Sequence, residues 1–412
     1  MSPQRRGMQR FKIWICSGQF LYDKKLAIFL WFGLSLLAVA HDIFTDPSLN
    51  NFRIYRAVFF HSIEQKNLYL PYPQEYSDVN LYGPVFGILI APFALLPLKV
   101  GTILWVMFNT SFLYIAIRKL PIKEQYQNAI LVLSSHEMMN AASYLQINPL
   151  IAGFIILGFS YINKAKDKWG LFFILLATFI KIYGIVGFAF FFFSNQKLNF
   201  IKWCIIWSAV FFIAPFMWGH PSYIVQSYYD WYEAIQRKSY KNTRMDIQND
   251  FQDISVMGMI RRIFQWPSFN DMIVLVPAVV LFGFQYIHFT YFKDIRFRFY
   301  LLCSVLIFTV IFSTGSESPT YIIAFPAVCL WCVIQPKSRK VNALLIFAML
   351  LTSFSYSDIF GSYVRSHIIR PYSLKALPCT LIWIIIIWQV FRRKFLLVDK
   401  SKIATAEEEV YS

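Results

Sequence analysis

Residues 26–56 read LAIFLWFGLSLLAVAHDIFTDPSLNNFRIYR. The stretch 26–40 is uncharged and as apolar as a membrane anchor. Residues 41–56 then bring in Asp42, Asp46, Asn50, Asn51, Arg53 and Arg56 with aromatic neighbours. A chain that has crossed a bilayer and then sets out carboxylates, amides and guanidinium groups is laying down a working face on the far side. The pattern recurs. Across 412 residues the composition is 57% hydrophobic and 19% aromatic, with 15% charged residues, where a soluble domain carries about a quarter. Apolar runs of span length continue from end to end, so the expected fold is an all-α polytopic membrane protein.

Arg5, Arg6, Arg10, Lys12, Lys24 and Lys25 precede the first run, and no small-residue cleavage site follows it. The expectation is a retained anchor behind a cytoplasmic segment, 1–25. The net charge of +17 fits basic cytoplasmic loops, and nucleic acid is excluded as a partner. Cys329 and Cys332, inside "AVCLWCVI", read as packing residues one helical turn apart. No clustered metal-ligand spacing is seen, and no cofactor is expected.

Further basic clusters follow the apolar runs, at Arg118–Lys123, Lys164–Lys168, Lys197–Lys202, Lys293–Arg298, Lys337–Lys340 and Arg392–Lys394. Placed inside by the positive-inside tendency, they leave loops 41–98, 219–270 and 355–373 outside. Two segments then need special treatment. "YGPVFGILIAPFALLP" (82–97) is broken by Pro84, Pro92 and Pro97, and reads as a re-entrant or interfacial piece. "LFFILLATFIKIYGIVGFAFFFF" (171–193) reads as two short arms that turn at Lys181 on the outer side. The resulting map has about twelve crossings in one domain over 26–392, with a solvated tail over 393–412.

This threading collects the polar features on the outer face: the first loop with Asp42, Asp46, Glu75 and Asp78; "YLQINP" with Gln146 and Asn148; Lys181; "QDISVMGMIRRIF" with Arg261 and Arg262; and "STGSESPT" with Glu317. Bland roles account for several others. Phe52, Tyr55, Phe59 and Ile63 recur at the spacing of an amphipathic interfacial helix. Arg365 and Arg370 suit headgroup anchors, His367 a structural histidine, and Glu137 a paired intramembrane acid. Lys181 differs, because an amine in so apolar a setting is a functional candidate, with phosphate its natural partner. Cations, carboxylates and proline-broken helices beside lipid suit an amphiphilic phosphate substrate, such as a polyprenyl-phosphate sugar.

The ordered set "NNFRIYR", "LYLPYP", "YGPVFGILIAPFALLPL", "LWVMFN", "QINPLIAGFIILGF", "ATFIKIYGIVGF", "DISVMGMIRRIF" and "ESPTYIIAFPAV" resembles glycosyltransferase family 87, a branch of the GT-C superfamily. "RPYSLKALPC" resembles a Bacteroidetes-type subgroup. The resemblance implies a GT-C-like bundle of transmembrane helices with outer-face juxtamembrane helices and loops, in a bacterial inner membrane with an extracytoplasmic active face. It implies a polyprenyl-phosphate sugar donor, mannose-like, and a lipid-linked or glycan acceptor. Membrane lipid and proteins of envelope-glycan assembly are the expected partners.

In such proteins an aspartate opens a D-[FL]-x-x-Y setting and serves as the catalytic carboxylate. Here Asn51-Phe52-Arg53-Ile54-Tyr55 stands in that place, and an amide cannot act as a base near neutral pH. Relatives also carry histidines where this chain has Ser316, Glu317, Ser318 and Pro319. Either the base has moved, with Glu317 first and Asp78, Glu75 or Asp46 as the other candidates, or the chain is a non-catalytic assembly subunit. Lys181, Gln146, Asn148, Arg261, Arg262 and Tyr55 are the expected substrate-binding residues. A transporter or flippase of lipid-linked saccharide is the other alternative, although no internal repeat of the kind such folds carry is visible.

Overall fold

A computed structural model describes residues 18–46, 48–243 and 252–404. The basic residues Arg5 to Lys12, part of the 219–270 loop and the acidic tail lie outside the described residues. Among the described residues the regular elements are all helical, and extended backbone pairs at an isolated bridge between Ile122 and Ile403.

In chain order the helices are α1 (Lys24–Thr45), α2 (Asn50–Ile63), α3 (Phe86–Ala94), α4 (Leu98–Arg118), α5 (Glu124–Ser143), α6 (Asn148–Asn163) and α7 (Asp167–Ile180). There follow α8 (Lys197–Ile213), α9 (Pro221–Asn242), α10 (Val256–Ile263), α11 (Met272–Phe284), α12 (Ile295–Ile311), α13 (Phe325–Ile334), α14 (Arg339–Ala348) and α15 (Ala376–Phe391). The apolar segments read from the sequence all fall on helices or helical turns. Among the described residues, four helical runs are long and apolar enough to cross a membrane: Lys24–Thr45, Leu98–Arg118, Lys197–Trp218 and Met272–Tyr291.

The order of packing follows the pattern of small and aromatic side chains. Asp23 starts α1 by accepting the Leu26 N–H at 2.8 Å, which satisfies one of the donors a helix start leaves open. The buried stripe Ala27, Trp31, Ser35, Ala38 and Val39 then packs α1 on α4 and α5. Tryptophans tie the helices together by donating across them: Trp31 to the Thr110 carbonyl at 2.9 Å, Trp105 to the Leu145 carbonyl at 3.1 Å, and Trp383 to Ser304 at 3.0 Å. Away from water an unmet indole N–H is costly, so these bonds fix helix register as well as fill volume. On α8 and α11 the side chains that stay exposed are apolar apart from Lys202 near the start of α8, among them Ile205, Val276 and Phe284. That is the surface lipid requires and water penalises.

The chain does reverse at Lys181. Helix α7 ends at Ile180, Lys181 is extended, and a 3₁₀ arm, Ile182–Phe193, packs back on α7. Gly184 permits the close approach, since a Cβ there would lie 2.3 Å from the Thr178 nitrogen. The proline-broken segment forms the short α3 with Pro92 inside it, packed on α2.

Candidate functional site

Several of these reversals converge on one cavity of about 370 Å³. Its wall is built from the loop after α2, the α5–α6 junction, the turn at Lys181, the C-terminal half of α9 and the loop after α12. Asn51, Tyr55, Asp78, Gln146, Lys181 and Glu317 line it together, although they are far apart in sequence. Tyr82, Tyr183, Lys238, Asn242, Gln252 and Thr314 are also in the lining.

Lys181 is the chemical centre. Its Nζ donates to Asn148 Oδ1 at 2.8 Å and lies 4.6 Å from the centre of the Tyr183 ring. Removal from water pushes the amine down to about 8, against the opposing pull of the Glu317 carboxylate. Burial therefore leaves a cation whose hydrogen-bonded oxygen belongs to a neutral amide. Such a group is short of negative charge, which an entering phosphate supplies.

Local sequence explains how Lys181 is framed. The Gly83 N–H donates to the Ile180 carbonyl at 2.9 Å, so the loop crosses directly over the end of α7. A Cβ at Gly83 would sit 2.1 Å from the Phe179 carbonyl oxygen, so glycine is required by space alone. This contact brings the Tyr82 ring within 6.0 Å of the ammonium. The Tyr82 hydroxyl meets that of Tyr55 at 3.3 Å, so the buried Tyr55 backs the wall.

Helix α9 closes another side. Trp231 donates to the Leu81 carbonyl at 2.9 Å, and Asn242 to the Thr314 carbonyl at 3.0 Å. Between those anchors Lys238 reaches Asp78 at 3.4 Å. Lys238 escaped notice in the sequence, where its segment read only as part of the outer loop 219–270. Its period shows the signal: Trp231, Ile235, Lys238 and Asn242 recur at three- and four-residue spacing, which puts them on one helical face.

Glu317 precedes the 3₁₀ turn Ser318–Ile322. Its N–H donates to Thr320 Oγ1 at 3.1 Å, and the adjoining Ser316 carbonyl accepts from the Ile254 N–H at 2.8 Å. Ser318 Oγ accepts from Asn140 and from Lys375, each at 3.1 Å. Lys375 in turn pairs with Glu137 at 2.8 Å, both fully buried. The acid within α5 thus has its partner, and the pair braces the loop that carries Glu317.

Five of the sequence candidates do not line this cavity; of these, Asn148 touches it only through its hydrogen bond to Lys181. Asp46 binds its own turn, accepting from the Ser48 N–H at 3.0 Å. Glu75 pairs with the buried His61 at 3.0 Å. Arg261 is held by Asp253 at 2.6 Å and also by Asp271. Arg262 donates to Ser373 and, at 2.7 Å, to the Gln252 carbonyl. Through Gln252 it buttresses the wall without facing the cavity.

No curated protein matches the chain. The model of glycosyltransferase family 87 matches residues 80–314. That range takes in Tyr82, Lys181, Lys238 and Thr314; Asn51 and Asp78 precede it, and Glu317 follows it. The match spans more than half of the chain, whose apolar helices and cationic cavity accord with it: the protein is a membrane glycosyltransferase and belongs to glycosyltransferase family 87.

Proposed function

We propose that the chain transfers a mannose-like hexose from a polyprenyl-phosphate donor to a hydroxyl of a lipid-linked or glycan acceptor. Transfer takes place at the extracytoplasmic face of a bacterial inner membrane. The observation that carries this is the meeting of Lys181 and Glu317 in one cavity. A phosphate leaving group and a hydroxyl nucleophile need opposite help, and the cavity offers both.

Lys181, with Lys238 nearby, neutralises the phosphate. The acceptor oxygen attacks the anomeric carbon, the bond from that carbon to the phosphate oxygen breaks, and its electron pair leaves on the phosphate. Glu317 takes the hydroxyl proton. Asp78, already in contact with Lys238, is the second candidate for that proton. Asn51 takes no part in proton transfer. A GT-C-like bundle of about twelve crossings supports the arrangement. Its short arms at Lys181, ~21 Å for the 14 residues of α7, leave room for a wet cavity in a ~30 Å core.

The test is donor choice by the full chain in lipid nanodiscs. Label should pass to an alkyl mannoside acceptor from polyprenyl-phosphate mannose and not from a nucleotide sugar. Transfer from the nucleotide sugar alone would refute the assignment.

A further inference from the structure

A second cavity, about 390 Å³, opens beside the first between α1, α5 and the loop after α14. Asp42, His136, Asn140, Tyr144, Ser353 and Tyr356 are among the residues that line it. Nothing said so far uses Asp42. One of its oxygens lies 3.5 Å from His41 Nδ1, while the other, Oδ2, is buried and has no hydrogen-bond partner among the described residues. A buried carboxylate oxygen left without a donor lacks a bond that a ligand hydroxyl can give.

The two cavities share a wall. On one side Asn51, which lines the first, donates to the carbonyl of Tyr144, which lines the second, at 2.8 Å. On the other, Asn140 of the second cavity donates to Ser318, the residue after Glu317. The Tyr144 phenol, raised above its ordinary value by burial, also feels the charges of Arg370, Glu317 and Asp42. Tyr144 is therefore within electrostatic reach of both carboxylates.

The linings differ in a way that selects the occupant. Lys181 and Lys238 line the first cavity, whereas among the described residues neither lysine nor arginine lines the second. A phosphate or anionic headgroup would meet Asp42 in the lining itself, while the nearest cations, Arg370 and Lys375, lie against the Tyr356 ring outside the lining, and Lys375 is already paired with Glu137. A neutral polyol would find a carboxylate, an imidazole, an amide, hydroxyls and an aromatic ring, which is the chemistry that holds sugar hydroxyls and their apolar faces. The volume lies within the range of small-ligand sites.

We propose that this cavity binds the saccharide end of the acceptor, with Asp42 and Asn140 holding its hydroxyls while the reacting hydroxyl passes Tyr144 towards Glu317. The placement rests on the first cavity being the transfer site.

The test uses the full chain in nanodiscs and a diazirine-bearing alkyl mannoside. After irradiation, crosslinked peptides should map to 136–144 and 353–357, and Asp42→Asn or Asn140→Ala should cut that labelling about tenfold, the effect of losing one good hydrogen bond to a charged or amide group. In transfer assays the same variants should raise the acceptor KM while leaving the donor KM unchanged. If Asp42→Asn fails to fold, Asn140→Ala reads the same site from another helix. Labelling confined to peptides around Lys181 and Glu317, or insensitive to both variants, would overturn the proposal. Labelling at the second cavity with no transfer from polyprenyl-phosphate mannose would overturn the donor assignment and leave the saccharide site standing.

Discussion

Asn51 donates its side-chain N–H to the Tyr144 carbonyl at 2.8 Å, a bond that an ionised carboxylate in its place could not make. The amide thus serves as a strut between α2 and the end of α5. Asn51→Asp should weaken the fold by ~0.5–1.5 kcal/mol, because an acceptor would then face an acceptor at a water-accessible site. Transfer should not improve. Thermal unfolding in detergent and a transfer assay check this; a faster enzyme of unchanged stability would show that the carboxylate belongs there.

Lys181 should show opposite pH trends in binding and in stability. Its amine sits at about 8 in the folded chain, below the ~10.4 of a solvated lysine. Donor affinity should therefore hold below about pH 8 and decline above it as the ammonium is lost. The empty protein should gain stability over the same window, because between the two values the unfolded chain binds more protons. Lys181→Met should weaken donor KM by roughly ten- to a hundredfold, as for a lost charged hydrogen bond, and should not lower the melting temperature. A melting temperature that fell with Lys181→Met while donor KM stayed constant would mark the lysine as structural.

The Glu137–Lys375 pair is fully buried at 2.8 Å. Removing one partner strands a charge and should cost ~3–5 kcal/mol, while replacing both, as in Glu137→Leu with Lys375→Met, should recover much of it. Because Lys375 also holds Ser318, the stable double variant should still show a reduced kcat from a loosened Glu317. A double variant as unstable as the sum of the singles would contradict this.

What was legible in the sequence follows physical range. The apolar runs, the break at Lys181 and the helix Asn50–Ile63 are local patterns, and the structure has helices or a turn at each. Lys181, Gln146 and Asp78 stood out as polar residues among apolar or outer-loop sequence, Asn51 and Glu317 as departures from the pattern the chain resembles, and the fold gathers them around one cavity. Arg261 and Arg262 were out of place in the same sense, yet their partners Asp253, Asp271 and Ser373 take up their donors. Only tertiary contact tells a guanidinium that is satisfied from one that awaits a ligand. Lys238 was missed because its helix carries many polar and aromatic residues, and its apolar stripe is narrow.

Sidedness has its own test. On a background without cysteine, Ser239→Cys at the cavity rim should react with a membrane-impermeant maleimide applied from the periplasmic side. Asn195→Cys, between the 3₁₀ arm and α8, should react only after lysis. The reverse pattern would put the cavity in the cytosol and remove the lipid-phosphate donor from reach.

The central claim is that Glu317 takes the proton while Lys181 holds the phosphate, and Glu317→Gln examines it most directly. Transfer from polyprenyl-phosphate mannose should drop by about 10²–10⁴-fold, the worth of a general base, with donor binding preserved and the variant folded. Transfer within a few-fold of the parent protein would contradict it, and Asp78 would become the carboxylate to examine next.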